Sequence, residues 1–537
     1  MRSWHFLPLV ALSLPAGLHA QSSHGSEEGA SATRPAATIQ AIELERRDIF
    51  DPEERSWYAK VANALHIQTR AHTIRRELLF RPDEPYDSAL VAESERNLRA
   101  LGVFRRVRID SVRTDSGLVM KVTTKDGWST KADWRFRSAG GDVEFTIGMV
   151  EDNLLGTAST AAVRYRKTTD RSTVILGFRQ PRLFAGTVGL AAAYENRSDG
   201  RLAAVIVERP FYSLASRHGF KLETETQDIR VLRFYDGADE ARDTLNRRYS
   251  LVRGSAAWAL RASNDGYLRL GVQAQVRRDD YRLERLEGEP SRTVSGAFGP
   301  YVVFNQARFL VTHGVAGFSR EEDVDLGLTV RAGAMLAPKG LGYERTGVAP
   351  LVAARAGAVL PGGFGFLEVL AGGLYTSAGL DSGSVQLAGT AVLKPARGHV
   401  AVLHVEGGWI ENPLPGAEFD LGLGTGPRAF GSHAFTGDRS VFATAEYRIT
   451  VLEDLLGLAG LGVAGFVDHG GAWYAGSRRR LGWDAGVGIR LGASRSSDTE
   501  ALRFDLARRF ANDVEQGGWV VTVGKGFAFS PLGRRSL

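Results

Sequence analysis

The stretch Thr522-Val-Gly-Lys-Gly-Phe-Ala-Phe529, close to the end of the 537-residue chain, is its most informative part. It reads as one strand in which the polar Thr522 and then Gly524 are followed by two aromatic residues, Phe527 and Phe529. A large ring fits the boundary layer of a membrane while its strand spans the lipid, so this pattern is typical of a terminal strand of a bacterial outer-membrane barrel. Since a strand in a soluble core can show the same alternation, the rest of the chain has to distinguish the two.

Period-two alternation of apolar and polar residues recurs upstream, in runs near the 9–11 residues that a tilted membrane-spanning strand needs. The clearest runs are Phe220–Glu225, Leu268–Arg277, Leu326–Leu336 and Trp483–Leu491. Between residues 127 and 529 helical periodicity disappears, and we count roughly sixteen to twenty strand-like segments. Alternation fits a barrel with apolar residues facing lipid, and equally a soluble sandwich with those residues inside.

The amino terminus predicts export. Residues 1–20 combine a basic Arg2, an apolar stretch from Phe6 to Leu18 and a small residue before a plausible cut, which together indicate a cleaved signal peptide. The chain has no cysteine, hence no disulfide and no lipid-modified cysteine anchor. Beyond residue 20 no window approaches the roughly 20 apolar residues of a spanning helix, so membrane insertion requires a closed barrel.

The formal charge of +6 does not indicate a nucleic-acid partner, because the arginines are spread along strands and are not clustered on one helix. Arginines in that distribution suit a water-filled lumen or anionic lipid headgroups. The 63 glycines suit a barrel of many strands and tight turns.

The residue pattern of the chain changes near residue 126, from mixed helix and strand signals to strand signals alone. The sequence predicts the following division: signal peptide 1–20, flexible leader 21–36, a small mixed domain 37–126, a barrel 127–529 and a short tail 530–537. Within the small domain the patterns predict a strand from Ile39, helices over 53–65, 73–80 and 87–101, and strands over 104–109 and 118–122.

The succession of strand, helices and two strands, followed by a barrel, resembles the POTRA-containing outer-membrane proteins of the BamA/TamA-like family, also called the bacterial surface antigen family. Val91–Ile109 is similar to the second helix and following strand of a POTRA domain, and Met149–Gly156 resembles an early barrel segment. The resemblance implies a mainly β fold: a transmembrane antiparallel β-barrel of about sixteen strands or more, with a small α/β POTRA-like domain in the periplasm. It also implies location in the bacterial outer membrane.

Three motifs near the carboxyl end carry the resemblance further; they are Pro427-Arg-Ala-Phe430, Ala445-Glu-Tyr-Arg448 and Gly465-Phe-Val-Asp-His-Gly470. The first resembles an Arg-Gly-aromatic motif on a loop that folds back into the barrel, and the others resemble strands with inward acids. The resemblance implies a latch in which Arg428 and Phe430 enter the lumen and Arg428 reaches Glu446 or Asp468. Ala429 stands where the family has glycine, which predicts a change in the tightest turn of the loop.

Physical chemistry favours such pairing independently of the resemblance. An arginine or an acid buried alone in a confined lumen would cost desolvation free energy. The cost is tolerable when the arginine binds a carboxylate in a bidentate pair. The spacings alone would equally fit three solvated charges.

The resemblance implies assembly of outer-membrane proteins or translocation across that membrane. An open sheet edge in the small domain would capture an extended client through backbone hydrogen bonds, and the junction of the first and last barrel strands would template or pass it. The expected partners are outer-membrane lipids, unfolded or extended client polypeptides and periplasmic accessory proteins, without nucleic acid.

We find no catalytic, cofactor or metal motif. Gly422–Gly426 lacks the strand-turn-helix context of a dinucleotide site, His469 has no nucleophile with which to act, and the other histidines are scattered. The alternatives are a passive porin or surface adhesin with a structural periplasmic domain, an outer-membrane lipase, and a soluble two-domain β protein.

Overall fold

The computed structural model describes residues 37–54, 56–115, 117–139, 142–183, 187–238, 241–283, 291–318, 321–413, 416–455, 459–493 and 501–525. The predictions for the signal peptide, the leader, Phe527, Phe529 and the tail 530–537 lie outside these residues.

A small α/β unit precedes the barrel. Its elements are β1 (Ile39–Arg47), α1 (Trp57–Leu65), α2 (Ala71–Arg75), α3 (Ser88–Ala100), β2 (Phe104–Thr114) and β3 (Gly117–Asp126). The sheet has the order β1-β3-β2, with β1 parallel and β2 antiparallel to the central β3. Helix α3 begins where the Asp87 carboxylate accepts the N–H groups of Ala89 and Leu90, and it buries Val91 and Leu98 against the sheet. The predicted succession of elements is present, but α2 is shorter than expected.

Twenty strands within the described residues close into a barrel. They are β4 (Thr130–Ala139), β5 (Asp142–Leu154), β6 (Ser159–Lys167), β7 (Ser172–Leu183), β8 (Val188–Arg197), β9 (Gly200–Arg209), β10 (His218–Arg233), β11 (Asp243–Ser263), β12 (Gly266–Leu283), β13 (Ser291–Gln306), β16 (Leu328–Ala337), β17 (Gly347–Leu360), β18 (Gly363–Thr376), β19 (Gly379–Leu393), β20 (His399–Glu411), β23 (Arg439–Leu455), β24 (Ala459–Trp473), β25 (Gly482–Ala493), β26 (Leu502–Arg509) and β27 (Gly518–Lys525). Strands run antiparallel from β4 round to β27, which lies beside β4 at the junction that we call the seam.

The count of sixteen implied by the family resemblance is wrong, and twenty is the upper end of the range counted from the sequence. Alternating runs reveal strands, but the circumference depends on which strands join one continuous hydrogen-bonded ring. Two further hairpins, β14 (Phe309–His313) with β15 (Glu321–Asp325) and β21 (Phe419–Leu421) with β22 (Phe435–Gly437), lie outside that ring.

Side-chain burial in the barrel is inverted relative to a soluble protein. On β12, Val272 is 55% exposed whereas its neighbour Gln273 is 9% exposed. The same holds on β25, where Val487 is exposed and Arg490 is buried. Apolar residues thus face outward and polar residues line the interior, which is the arrangement of a membrane barrel. It contradicts the soluble β alternative.

The two ends of the barrel differ in what occupies them. Strand β4 starts next to the small unit, so this end of the barrel is called the small-domain end and the opposite one the far end. The connection 307–327, which contains β14 and β15, lies at the small-domain end and is called the mouth hairpin. The connection 412–438, which contains β21 and β22, starts at the far end and is called the lumen loop. No helix in the described part of the chain is both long and apolar enough to cross a membrane.

Candidate functional site

The lumen loop folds back on itself and enters the barrel. Strands β21 and β22 pair, and between them the N–H of Leu423 donates to the carbonyl of Gly431 at 3.1 Å. Gly422 has φ +154°, and a Cβ at this position would lie 2.0 Å from the Gly431 carbonyl oxygen. Glycine at this position therefore permits the close return that brings the middle of the loop to the barrel wall.

All five guanidinium N–H groups of Arg428 donate hydrogen bonds to side chains of the barrel wall. Its Nε and Nη2 donate to the two oxygens of Asp468 at 2.6 and 3.1 Å, and Nη2 also reaches Thr444 at 3.4 Å. Its Nη1 donates to Glu446 at 3.0 Å and to Asp505 at 3.3 Å. The side chain and all three carboxylates are buried, so this arginine latch combines bidentate geometry with exclusion of water.

Additional charges surround the latch. Arg490 donates to Glu446 at 3.1 Å and to Asp505 at 2.5 Å, and the Nε of Arg448 donates to Glu446 at 2.6 Å. Arg503 lies 3.8 Å from Asp505. A fourth acid, Asp484, accepts the backbone N–H of Ala429 at 3.0 Å. The cluster therefore contains four arginines and four carboxylates, and its formal charges cancel. Charge balance of this kind offsets part of the desolvation that buried ions would otherwise suffer.

The two residues after Arg428 pack into apolar surroundings. Ala429 is buried against Phe466 and Ala507, and it is not among the described residues with positive φ. Phe430 packs with Phe435 at a ring-centroid distance of 5.1 Å. Ala429 adopts no left-handed conformation and its methyl group fills a small apolar space, while the predicted change of the tight turn relative to the family's glycine stays a prediction. Positive φ in the described part of this loop is found at Asn412, Gly416, Gly422, Gly424 and His433.

His433 fastens the outer part of the lumen loop. Its Nδ1 is 2.6 Å from Asp420, its Nε2 is 3.1 Å from Asp170 in the β6–β7 turn, and its ring stacks on Phe234 at 3.5 Å. Burial lowers the pKa of His433, but the hydrogen bonds to Asp170 and Asp420 outweigh it and raise that pKa to about 10. The imidazolium form donates from both nitrogens and ties this loop to its neighbours.

Consecutive amides of the lumen loop bind acids from either side of the seam. The N–H of Gly431 donates to Glu515, in the β26–β27 turn, at 2.8 Å. The N–H of Ser432 donates to Asp142, the first residue of β5, at 2.7 Å. Since β27 and β4 form the seam, the loop connects both flanks of it at the far end of the barrel.

The mouth hairpin occupies the other end of the lumen. The carboxylate of Glu322 accepts the N–H groups of Val315, Ala316 and Gly317 at 2.7 to 3.0 Å, which fixes the tip. Burial raises the pKa of Glu322, and the three hydrogen bonds only partly offset this effect. Val315 and its neighbours pack in an apolar cluster with side chains of β18, β19 and β20.

The tip of the mouth hairpin also touches β24 and β25, farther along the wall. Glycines 460, 462 and 492 on β24 and β25 leave room for Phe318, because a Cβ at 460 or 492 would lie within 2.5 Å of its side chain. Arg448 completes the connection: its Nη1 donates to the carbonyl of Val315 at 3.5 Å while its Nε binds Glu446. One arginine thus links the hairpin to the latch.

Helix α3 of the small unit docks on the same end. The carboxylate of Glu93 accepts the N–H of Leu214 at 2.7 Å and the hydroxyl of Ser213 at 3.1 Å, both in the β9–β10 connection. Arg99 donates to Asp323 of the mouth hairpin at 3.2 Å. Burial raises the pKa of Glu93, with the two hydrogen bonds acting in the opposite direction. The small unit, the hairpin and the barrel therefore form one connected assembly.

The structure brings together Arg428, Glu446 and Asp468, and it places Phe430 beside them in an apolar pocket. Thr522 and Gly524 face the lumen on β27, and a Cβ at Gly524 would lie 2.7 Å from the Nε of Arg503, whose side chain lies along this strand. Phe527 and Phe529 lie outside the described residues.

Sequence reasoning missed five members of the cluster: Arg448, Arg490, Arg503, Asp484 and Asp505. A signal was available, because Arg448 is two residues from Glu446 and shares its face of the strand. Extending the inward face along every carboxyl-terminal strand would have found the others. In the described residues no group of three or more potential ligands is arranged to hold a metal ion.

The chain resembles two curated proteins named outer membrane protein assembly factor BamA. That of Neorickettsia risticii is 30% identical over 148 residues, which are 26% of this chain and 20% of the relative. That of Neisseria meningitidis serogroup B is 28% identical over 157 residues, 27% of this chain and 20% of the relative. The matches thus span about a fifth of the length of these relatives. No protein-family model matches the chain.

Among solved structures, CdiB from Escherichia coli has a TM-score of 0.46 at 11% identity, covering 96% of this chain and 94% of that chain. BamA from Haemophilus ducreyi lacking POTRA domains 1–3 has a TM-score of 0.41 at 12% identity, covering 91% and 84%. The sequence matches confirm the resemblance to BamA/TamA-like barrels, and together with the barrel fold they support an outer-membrane location.

Proposed function

We propose that this BamA/TamA-like outer-membrane barrel protein inserts or translocates polypeptides at the bacterial outer membrane, with its small domain in the periplasm. In this orientation the small-domain end is periplasmic and the far end extracellular. The relatives are named as assembly factors for outer-membrane proteins, which supports a polypeptide as the client.

The observation that carries the proposal is the occupation of both ends of the lumen. The lumen loop is fixed to the wall through Arg428, and the mouth hairpin crosses to β24 and β25 through Phe318. A passive porin keeps an open water-filled channel, whereas here two inserted segments connect through Arg448. Such a closed resting state fits a barrel that acts when its wall or its inserted segments move.

The seam is the part of the wall where movement would matter most. It is bridged by the amides of Gly431 and Ser432, and release of the loop would remove both links. On the lumen side Gly524 presents no side chain of its own and is covered by Arg503 of β26, so β27 itself contributes little side-chain packing where a client strand would enter. The seam could then template an inserting strand or let an extended chain pass.

The client would be captured at the edge formed by β2. In the described residues β2 pairs with β3 alone, and the N–H of Ile109 donates to Glu95, away from the sheet. Ser111 and Arg113 follow Ile109 by two and four residues on the same strand. Their backbone N–H and C=O groups therefore point to the same side as those of Ile109, which is the free edge of the sheet. An extended client can pair there by backbone hydrogen bonds with little demand on its sequence.

The test is a disulfide that holds the seam at its far end. Ser432→Cys combined with Asp142→Cys ties the lumen loop to the β5 flank, whereas Gly431→Cys with Glu515→Cys ties the same loop to the β27 flank and serves as the matched control. The chain has no native cysteine to interfere. Each variant is reconstituted in vesicles and supplied with a urea-unfolded eight-stranded outer-membrane barrel.

The first pair should lose acceleration of client folding when oxidised and regain it on reduction, because it joins the loop, which Arg428 binds to β23, β24 and β26, across the seam to β5. The control pair joins the loop only to its own side of the seam and should stay active in both states. A parallel assay follows the entry of an extended polypeptide into the vesicles. If the oxidised 142–432 variant handles both clients at the rate of the unmodified protein, gating at the seam is wrong. Ion conductance that persists without either client activity would favour the passive channel.

A further inference from the structure

Helix α1 of the small unit carries an apolar strip that faces solvent. Trp57, Val61 and Leu65 follow one another at four-residue spacing, which places them on one face of the helix. Their exposures are 76%, 49% and 71%, respectively. Exposed large apolar side chains in one contiguous strip mark an interaction surface more often than chance exposure does.

The opposite face of α1 fixes the strip in its outward orientation. Ala59 is buried in a cluster with Ile49 and Phe50. The side chain of Asn63 makes two hydrogen bonds to Phe50, accepting its N–H at 3.1 Å and donating to its carbonyl at 2.9 Å. Rotation of the helix to hide Trp57 would break both bonds and expose Ala59.

This helix lies at the rim of the barrel. The Ala59 cluster also contacts Trp128, two residues before the start of β4. The segment after α1 is bonded to the end of β5 and to the β5–β6 turn: Asn153 on β5 donates to the carbonyl of Ile67 at 3.2 Å, and the N–H of Arg70 donates to the carbonyl of Gly156 in the turn at 2.9 Å. Helix α1 is therefore held next to the first strands of the barrel and close to the edge of its lipid-facing band.

The surroundings of the strip complement a phospholipid surface. Ile67 after the helix and Leu155 in the β5–β6 turn are also exposed, so the apolar surface continues from α1 toward the lipid-facing side chains of β5. Exposed Lys60 borders the strip, and exposed Arg70 follows it. The leader 21–36 contains no leucine, isoleucine, valine, methionine or aromatic residue, so it offers nothing of matching chemistry to cover this strip.

We propose that the α1 strip inserts into the membrane leaflet that faces the small domain, with Trp57 and Leu65 in the acyl boundary and Lys60 and Arg70 at anionic headgroups. An amphipathic helix in this position is buried about 5–10 Å into the boundary, and tryptophan is favoured at that depth. The contact gives the small domain a second attachment, besides its bonds to the barrel turns, and fixes it near the seam. This inference depends on membrane insertion of the barrel and not on the identity of any client.

The test uses a fluorescent label at a single introduced cysteine in the full-length protein. Val61→Cys places a bimane on the strip. Val112→Cys, on the β2 edge of the same unit and 45% exposed, is the matched control. Both proteins are reconstituted in phosphatidylethanolamine–phosphatidylglycerol vesicles with and without lipids brominated on the acyl chains.

The bimane at residue 61 should lose roughly half of its emission in brominated vesicles, because bromine quenches on contact at the burial depth expected for such a helix. The label at residue 112 should be unaffected. Adding Trp57→Ser and Leu65→Ser should abolish quenching at residue 61. Equal emission from residue 61 in both lipids overturns the proposal, and so does quenching that survives the serine substitutions. A label shielded from aqueous iodide but not quenched by bromine would indicate a protein partner instead and would also overturn it.

Discussion

Arg428→Ala should release the lumen loop while leaving the barrel folded. Removing the guanidinium leaves Glu446, Asp468 and Asp505 buried with one positive charge fewer, so the cluster changes from four arginines against four carboxylates to three against four. Breaking a buried pair by deleting one partner costs about 3–5 kcal/mol, and water in the lumen reduces this value. The ratio of docked to released loop should therefore fall by roughly 100- to 1000-fold, since each 1.4 kcal/mol is a factor of ten.

Arg439→Ala is the matched control. Arg439 is the first residue of β23, directly after the loop, and contacts Asp438 at 3.2 Å and Glu411 at 3.7 Å, but its side chain is partly exposed. Exposed pairs of this kind contribute about 0–1 kcal/mol. The two variants thus remove the same chemical group, one within the loop and one directly after it, and they differ mainly in the burial of the carboxylates left behind.

Hydrogen exchange of the amides in residues 419–437 measures the effect, because exchange through local opening reports the free energy of releasing the loop. In Arg428→Ala these amides should lose protection by the stated factor, whereas amides of the barrel strands and the Arg439→Ala protein should stay close to the unmodified protein. A double-mutant cycle with Asp468→Asn should show strong coupling with Arg428→Ala. Equal loop protection in the two alanine variants would refute the interpretation of Arg428 as the main fastening of the loop.

Three further predictions concern other contacts that hold the lumen loop and the mouth hairpin in place. The raised pKa of His433 contributes stability that is fully present below pH 6.5 and is lost as pH rises toward about 10. A spin label on the lumen loop should therefore become mobile between these pH values in the unmodified protein. The His433→Gln protein should show no such transition. Phe318→Ala should loosen the mouth hairpin by less than the about 3–5 kcal/mol of a fully buried phenylalanine, because its ring is half-buried, and should raise single-channel conductance in planar bilayers; unchanged conductance would contradict its role as a plug. A Cβ at Gly482 would lie 2.4 Å from the ring of Phe430, so Gly482→Ala should raise protease sensitivity of the lumen loop, whereas Gly254→Ala, at an open position on another strand, should not.

Local patterns in the sequence were sufficient for the elements of the small unit and for the existence of the strands. Helix α3 follows from its apolar spacing, its Asp87 cap and the glycine after it, all of which lie within a few residues. The alternation on β12 likewise marks a strand without any knowledge of its neighbours. These features depend on interactions between residues that are close in the chain.

The partners of Arg428 could be named only in part. Glu446 and Asp468 are on the two strands that follow the loop, and the motifs there carried the prediction. Asp505 is 77 residues away from Arg428, on a strand whose position in the ring could not be read from its own residues. Arg490 and Arg448 were visible as inward polar residues, but their convergence on Glu446 depends on the register between strands.

The sequence by itself determined that this chain forms long alternating strands after a small α/β unit, because period-two side-chain placement is a property of the extended backbone. Only the tertiary structure decided that twenty strands of the described residues close the ring, that the apolar side faces outward, and that β14 and β15 turn into the lumen. An alternating pattern is identical whichever face is enclosed. Closure and insertion depend on hydrogen bonds and packing between segments far apart in the chain, which no local pattern encodes.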